Sequence, residues 1–218
     1  MKTLDPSRPF GTLDTIWRYP IKSLRGERLK MADVRLDGIV GDRHSMLVVQ
    51  NAGHARAGKA YRGKEHNLLH TIGDSERARA SAAERGVEVE VRNDGPYFDD
   101  KPVSVLLDGW VRDLEAMLNR SIDPLRFRAN VFVEANDGFL PEARYAGAAL
   151  EVGGTRLRVA GPIDRCVTPS YDVETGASDP ALLRTLVQRR GNVMGVYCVV
   201  ERPGSISVGD RVWVEDAP

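Results

Sequence analysis

Apolar and polar residues alternate along much of this chain, which is the pattern of strands that bury one face. The alternation is clear in residues 12–20 (TLDTIWRYP), 28–36 (RLKMADVRL) and 87–91 (VEVEV). Further apolar runs that end in turn-forming residues are also predicted as strands; they are residues 44–50, 102–107, 125–134, 195–201 and 206–215, with a hairpin over 148–161. This pattern predicts roughly eight or nine short strands.

The strand predicted over residues 125–134 (LRFRANVFVE) carries its polar residues at every second position. Because side chains alternate across a strand, Arg126, Arg128 and Asn130 would share one face and apolar residues the other. We therefore expect these three polar side chains to project together from the sheet.

Two segments have the start and stop signals of helices. Residues 74–86 begin at Asp74 or Ser75 as cap and end at a glycine. Residues 179–191 have Asp179 as cap, a proline at the first position, two arginines in the last turn and a glycine after it. Both segments are predicted as helices.

Residues 101–118 (KPVSVLLDGWVRDLEAML) fit two interpretations. Their apolar spacing allows one helix from Val103. However, β-branched residues cluster in the first half, and Gly109 is unfavourable in the middle of a helix. We favour a strand (PVSVLL) followed by a helix from an Asp108 cap to Leu118.

Two or three helices beside so many strands predict an α+β protein that is mostly β, with a β-barrel core and peripheral helices. A length of 218 residues is enough to bury a sizeable core. Residues 1–10 are predicted to form a loose N-terminal arm.

Charge and apolar content argue against several classes of partner. Lys and Arg together number 31, as do Asp and Glu, so no net charge favours nucleic acid or a membrane surface. No apolar run reaches the ~20 residues of a membrane span, and the N-terminus lacks the apolar core of a signal peptide. With only two cysteines, the sequence predicts a cytoplasmic protein without a disulfide framework.

The two cysteines lie in contrasting surroundings. The stretch GPIDRCVTPSYDVETG places Cys166 next to Arg165, among turn-forming residues. Positive charge and exposure favour a reactive thiolate, whereas a free loop cysteine without a role is the alternative. Cys198 lies in the alternating stretch GVYCVV and is predicted to be a small core residue.

Basic residues recur at predicted strand ends and in loops. A single arginine is usually solvated, but several that converge in one cleft would bind an anion such as phosphate or carboxylate. The residues in question are Lys22, Arg43, Arg56, Arg62, Lys64, Arg128 and Arg165. No glycine-rich phosphate loop is present, so side chains would have to hold the anion.

Residues 51–71 form a long segment rich in glycine and cationic residues. We expect this segment to act as a lid that orders over a bound ligand. It contains His54, His66 and His70, whose spacing does not match a zinc site, so ordinary surface or loop histidines are favoured. A nucleophile pair between Cys166 and a histidine would form only in three dimensions.

The order of several motifs resembles that of the MOSC domain family. The motifs are YPIKSLRGE, GDRHSMLVV, RFRANVFVE, DRC, VETG and PGSISVGDRVWV, and the resemblance extends from Gly11 to Val214. The family includes the C-terminal domain of molybdenum cofactor sulfurases and the mitochondrial amidoxime-reducing components. It implies a β-barrel fold for residues 11–218, with a β-rich part over 11–100 and a cysteine-bearing part over 101–218.

The resemblance also implies a molybdenum–pterin cofactor, with Cys166 as the metal ligand and catalytic residue. A thiolate is a soft ligand suited to such a metal, and arginines would hold the pterin phosphate. The candidate cofactor-binding residues are Lys22, Ser23, Arg43, Arg62, Lys64, Arg128, Asn130 and Arg165. The resemblance departs from the family at Arg62, Lys64 and His66, which are peculiar to this type of sequence. Pyridoxal phosphate binding is a further property attributed to the family.

Three functions follow as hypotheses. The leading one is reduction of an N-oxygenated or similar small substrate at the molybdenum, with electrons from a separate donor protein. The second is sulfur transfer or carbon–sulfur lysis, with a persulfide or thiolate at Cys166 and no bound metal. The third is a binding module without catalysis.

Overall fold

The computed structural model describes residues 8–52, 56–136 and 139–215. The strands are β1 (Gly11–Arg18), β2 (Glu27–Leu29), β3 (Met31–Arg35), β4 (Gly38–Ile39), β5 (Met46–Ala52), β6 (Val87–Arg92), β7 (Val103–Leu107), β8 (Val131–Ala135), β9 (Ala149–Val152), β10 (Thr155–Asp164), β11 (Val193–Arg202), β12 (Gly204–Ser207) and β13 (Arg211–Glu215). The helices are α1 (Ser75–Ala83), α2 (Asp108–Leu118) and α3 (Pro180–Arg190). None of these helices is long and apolar enough to cross a bilayer.

Seven strands close into a barrel. They follow the order β13–β9–β10–β11–β7–β8–β1, and β1 pairs back with β13. Strand β2 extends this sheet beyond β1, and β12, β3 and β4 form a separate small sheet. The mostly-β α+β fold with a barrel core and three helices is therefore confirmed.

The inward-facing side chains of the barrel strands, including Leu13 and Ile16 of β1, fill the barrel interior. Strand β7 is buried at every position, lies between β11 and β8 in the barrel sheet and contacts α2. Helix α2 also connects β7 to its parallel neighbour β8, and Trp110 and Leu114 of α2 complete this core. The strand-then-helix interpretation of residues 101–118 is confirmed.

A second, smaller core lies under the sheet of β5 and β6. Helix α1 covers this sheet with Ala78 and Ala82. Tyr61 and Leu69, from the segment predicted to be a lid, are 1% and 0% exposed in the same core. Much of the segment after Ala55 is therefore held by packing, and residues 53–55, including His54, lie outside the described residues.

The strand predicted over residues 125–134 is wrong in its first half. Pro124–Phe127 forms a 3-10 turn, capped by the Asp123 carboxylate, which accepts a hydrogen bond from the Leu125 N–H at 2.9 Å. Arg128 follows with a left-handed φ of 51°, and the strand begins only at Val131. Arg126, Arg128 and Asn130 consequently do not share one strand face.

The helix starts also differ in detail from the predictions. Asp74 caps α1 as predicted, accepting from the Arg77 N–H at 2.8 Å. Asp108 is the first residue of α2 and not its cap. Asp179 does occupy the cap position of α3, but its carboxylate pairs with Arg120. At α3 a side chain from a distant segment thus takes the place of the cap interaction, whereas Asp108 accepts from the Gly109 and Ala135 N–H groups.

Candidate functional site

A cavity of about 290 Å³ lies between the segment after β1, the 3-10 turn before β8 and the loop after β10. Most of the candidate residues line it: Lys22, Ser23, Arg43, Arg62, Arg128, Arg165 and Cys166. Arg56, Lys64 and Asn130 are not among its lining residues. Basic residues that are far apart in sequence therefore do converge, as the anion-site hypothesis requires.

Arg128 and Arg165 are the cationic groups of this cavity without a carboxylate partner among the described residues. Arg165 donates from Nε to the Met194 carbonyl at 2.7 Å and from Nη1 to the Phe127 carbonyl at 2.9 Å. Nη2 of Arg128 is buried and has no hydrogen-bond partner there. Burial lowers the pKa of each guanidinium to about 10. Two positive charges are thus held in place but not neutralised, which favours an anionic ligand.

Arg43 is fixed beside these two groups by several contacts. It forms an ion pair with Asp42, and its Nη2 donates to the Arg128 carbonyl at 3.2 Å. Its Nη1 lies 3.3 Å from Oδ1 of Asn130. Because Asn130 also accepts from Ser104 and donates to the Trp17 carbonyl, its side chain positions Arg43 and does not reach into the cavity.

Tyr19 supports the same two arginines. The guanidinium carbons of Arg43 and Arg128 lie 4.9 and 4.3 Å from the centre of its ring. The Tyr19 hydroxyl donates to the Ala129 carbonyl at 3.3 Å. Burial raises the pKa of Tyr19 to about 12, so the phenol is neutral and adds no opposing charge.

Lys22 and Asp99 form an ion pair at one edge of the site, with 2.6 Å between Nζ and Oδ1. Asp99 also lines the cavity and is therefore an anion inside a mainly cationic wall. The backbone of the neighbouring Ser23 has a left-handed φ of 73°, in the turn that brings Lys22 to the site.

Cys166 is exposed and Cys198 is buried, as predicted. The Sγ atom of Cys166 lies 3.2 Å from Oγ1 of Thr168 and 3.5 Å from the Thr168 N–H nitrogen. Among the described residues, no histidine forms a hydrogen bond with this sulfur, so no Cys–His pair is formed there. Cys198 faces the barrel core, and burial raises the pKa of its thiol.

The loop histidines and Lys64 are placed differently from the expectation. His66 and His70 are 1% and 7% exposed, so they are not surface histidines. Lys64 lies outside the cavity wall and is 3.6 Å from a Glu65 carboxylate oxygen. Across the described residues, no three His, Cys, Asp or Glu side chains are grouped to hold a metal ion.

Comparison with known families agrees with this architecture. The MOSC domain model matches residues 78–213, which is more than half of the chain, and the MOSC N-terminal beta barrel domain model matches residues 10–92. The chain belongs to the MOSC family. The resemblance inferred from the sequence motifs is confirmed.

Curated relatives cover only part of the MOSC chain. Mitochondrial amidoxime-reducing component 1 from Homo sapiens is 28% identical over 131 residues, covering 54% of this chain and 38% of that protein. Molybdenum cofactor sulfurase from Drosophila yakuba is 31% identical over 111 residues, covering 46% of this chain and 14% of that protein. The chain thus spans less than half the length of these relatives.

A solved structure supports the fold over nearly the whole chain. The YUAD protein from Bacillus subtilis aligns with a TM-score of 0.56 and covers 95% of this chain and 97% of its own. At 17% sequence identity this likeness concerns the fold alone.

Sequence reasoning did not identify several cavity residues of this MOSC protein. They are His70, Asp99, Ser104, Arg126, Thr168 and Tyr197. Thr168 could have been predicted from the sequence as a site residue, because it lies two residues after Cys166 in the same turn-rich stretch. Asp99 and Tyr197 come from segments remote in sequence, and no motif connects them to the site.

Proposed function

We propose that this MOSC protein binds a phosphorylated molybdenum–pterin cofactor in the cationic cavity and reduces a small N-oxygenated substrate. The observation that carries the proposal is the convergence of Arg128 and Arg165, which are partly buried and have no carboxylate partner among the described residues, with an exposed Cys166 in the same cavity wall. This arrangement offers charge to a phosphate and a soft ligand to a metal.

The residues present fit such a group. Nη2 of Arg128 has no partner among the described residues, so a phosphate oxygen would satisfy a buried donor. Because the described residues place no cluster of His, Asp or Glu around Cys166, a metal at its sulfur would take its other ligands from the cofactor and from solvent. A pterin-bound molybdenum is a metal of this kind.

The cofactor, when bound, supplies two-electron chemistry that removes an oxygen atom from the substrate as water. The protein itself would position the cofactor and supply positive charge to its phosphate. Arg128 and Arg165 would hold the phosphate, and Arg43 would complete the cationic wall. The Thr168 hydroxyl and N–H lie beside Sγ of Cys166 and would donate hydrogen bonds to a metal-bound thiolate. Two electrons would come from a separate donor protein and two protons from solvent.

A sulfur-carrier role is the second candidate, and the exposure of Cys166 favours it. In this alternative the thiolate takes up a sulfane sulfur from a persulfide donor, whose thiolate leaves. The Cys166 persulfide then passes that sulfur to an acceptor. The cationic cavity would bind the anionic part of the acceptor.

Metal and sulfur analysis of freshly purified protein distinguishes the two. We expect molybdenum in a near-stoichiometric amount when the protein is produced in cells that make the cofactor. Absence of molybdenum together with cyanide-releasable sulfur would support the carrier role instead. Absence of both would contradict both candidates and leave a binding module.

A further inference from the structure

A second, smaller pocket of about 40 Å³ adjoins the cationic cavity. Four residues line both spaces: His70, Arg126, Arg128 and Thr168. The rest of the smaller pocket is formed by the mainly apolar side chains of Trp17, Tyr19, Leu125 and Val173, by Gly26, and by the ion pair of Arg25 with Glu174. His70 is thus placed where a cationic space meets a more apolar one.

The His70 ring is held in one orientation. Its Nε2 lies 2.7 Å from the Asp172 carbonyl oxygen, and its face stacks on Tyr171 with 6.1 Å between ring centres and 12° between planes. A carbonyl oxygen only accepts hydrogen bonds, so Nε2 must carry the proton. Nδ1 of the neutral ring is therefore an acceptor.

This acceptor is unsatisfied in the part of the chain that the structure describes. Nδ1 of His70 is buried and makes no hydrogen bond within the described residues, although the side chain is only 7% exposed. Burial lowers the pKa of His70, and the charges of Arg128 and Arg126 lower it further, whereas the hydrogen bond to the Asp172 carbonyl raises it. The ring is therefore neutral near pH 7, and a buried acceptor without a donor is costly to the ligand-free protein.

We propose that Nδ1 of His70 accepts a hydrogen bond from a neutral N–H or O–H group of the ligand whose anionic part lies between Arg128 and Arg165. The small apolar pocket takes the edge of the ligand next to that donor. This inference rests on the proposed cofactor site and adds a specificity-determining residue to it. An anion without such a donor leaves Nδ1 unpaired, so the site discriminates against it.

Two probe ligands distinguish the effect of the ligand's negative charge from the effect of its hydrogen-bond donor. Inorganic pyrophosphate offers negative charge alone, whereas pterin-6-carboxylate offers negative charge with N–H donors. His70→Gln keeps a donor for the Asp172 carbonyl but lacks the ring acceptor. We expect this variant to bind pterin-6-carboxylate about five- to tenfold more weakly by calorimetry and pyrophosphate as the wild type does.

His66→Gln is the matched control, because His66 is a buried histidine that lines neither pocket. It should leave the affinity for both probes unchanged. Long-range ¹H–¹⁵N spectra of the wild type provide a measurement that needs no variant. They should show His70 protonated at Nε2, with the Nδ1 resonance shifting when pterin-6-carboxylate binds and remaining in place with pyrophosphate.

Each contrary outcome has a distinct meaning. If His70→Gln binds pterin-6-carboxylate as tightly as the wild type, or if Nδ1 carries the proton, His70 has no such role while the cofactor site stands. If the wild type binds pyrophosphate and not the pterin, the donor-selective site is refuted and an anion site remains. If it binds neither probe, both this inference and the proposed function fail.

Discussion

Arginine serves opposite purposes in two regions of this protein. On the outer face of β9–β11, Arg156 is surrounded by carboxylates, with distances of 2.5 Å to Glu151, 3.1 Å to Glu201 and 2.8 Å to Glu215. In the cavity, Arg165 packs against carbonyl groups and Arg128 against the Tyr19 ring, and neither has a carboxylate partner among the described residues.

The difference indicates which arginines are available to a ligand. An arginine that is fully paired with carboxylates has few donors left for a ligand, and such networks near the surface contribute modestly to stability. A buried guanidinium whose charge is not neutralised is unfavourable in the free protein and gains most when an anion arrives. The absence of a local partner identifies the site better than the number of arginines does.

The largest expected effect concerns the thiol that shares the cavity with these arginines. Cys166→Ser should remove essentially all bound molybdenum, measured by elemental analysis, because the hydroxyl replaces the soft ligand. Its melting temperature should stay close to that of the wild type, since Cys166 is exposed. Metal retained by this variant would place the ligand elsewhere.

Cys198→Ser is the control and should behave in the reverse way. The residue is fully buried in the barrel, so a hydroxyl there should lower the free energy of unfolding by about 1–3 kcal/mol while the metal content per folded protein is kept. A charged alkylating reagent at neutral pH should label Cys166 well before Cys198. Faster labelling of Cys198 would contradict the assignment.

Substitution of single arginines should affect anion binding differently in the two regions. Arg128→Gln and Arg165→Gln should each weaken pyrophosphate binding by about 1–3 kcal/mol, which is roughly 5- to 150-fold by calorimetry. Arg158→Gln, on the outer sheet with Glu201 as partner, should change the affinity little. Equal losses in all three variants would mean that general surface charge governs binding.

A smaller effect of opposite sign is expected from Asp99. Asp99→Asn removes a negative charge from the cavity wall and releases Lys22, so pyrophosphate affinity should rise about three- to tenfold at low salt. Asp100→Asn is the matched control, since Asp100 pairs with Lys101 and does not line the cavity. A fall in affinity for Asp99→Asn would show that Lys22 needs its partner to be positioned.

The smallest effect concerns stability in acid. Burial lowers the pKa of His66 to about 4, whereas in the unfolded chain it titrates near its ordinary value of 6.5. Between these values the unfolded chain binds more protons, so stability is lost as the pH falls from about 6.5 to about 4. Urea unfolding of His66→Gln should show a shallower loss across this range. If the free energy of unfolding depends on pH in the same way for the variant and the wild type, other titratable groups account for the loss of stability in acid.

Local signals in the sequence determined most of the scaffold. Alternating apolar residues predicted most barrel strands, and Asp74 marked the start of α1, because strand periodicity and helix caps depend on neighbours along the chain. The contrast between Cys166 in a turn-rich loop and Cys198 in an alternating strand was likewise readable, since local polarity governs burial.

Tertiary structure decided the details of the site. Pro124 and Asp123 form a turn that breaks the predicted strand and sends Arg126 to Asp172, while Arg128 adopts a left-handed backbone. Asp99 and His70 enter the site through contacts with Lys22 and with the Asp172 carbonyl, which lie far away in sequence. The periodicity of the sequence indicates whether a side chain faces the core or solvent. Which charges form ion pairs, and which buried acceptor lacks a donor, depends on the distant segments that the fold brings together.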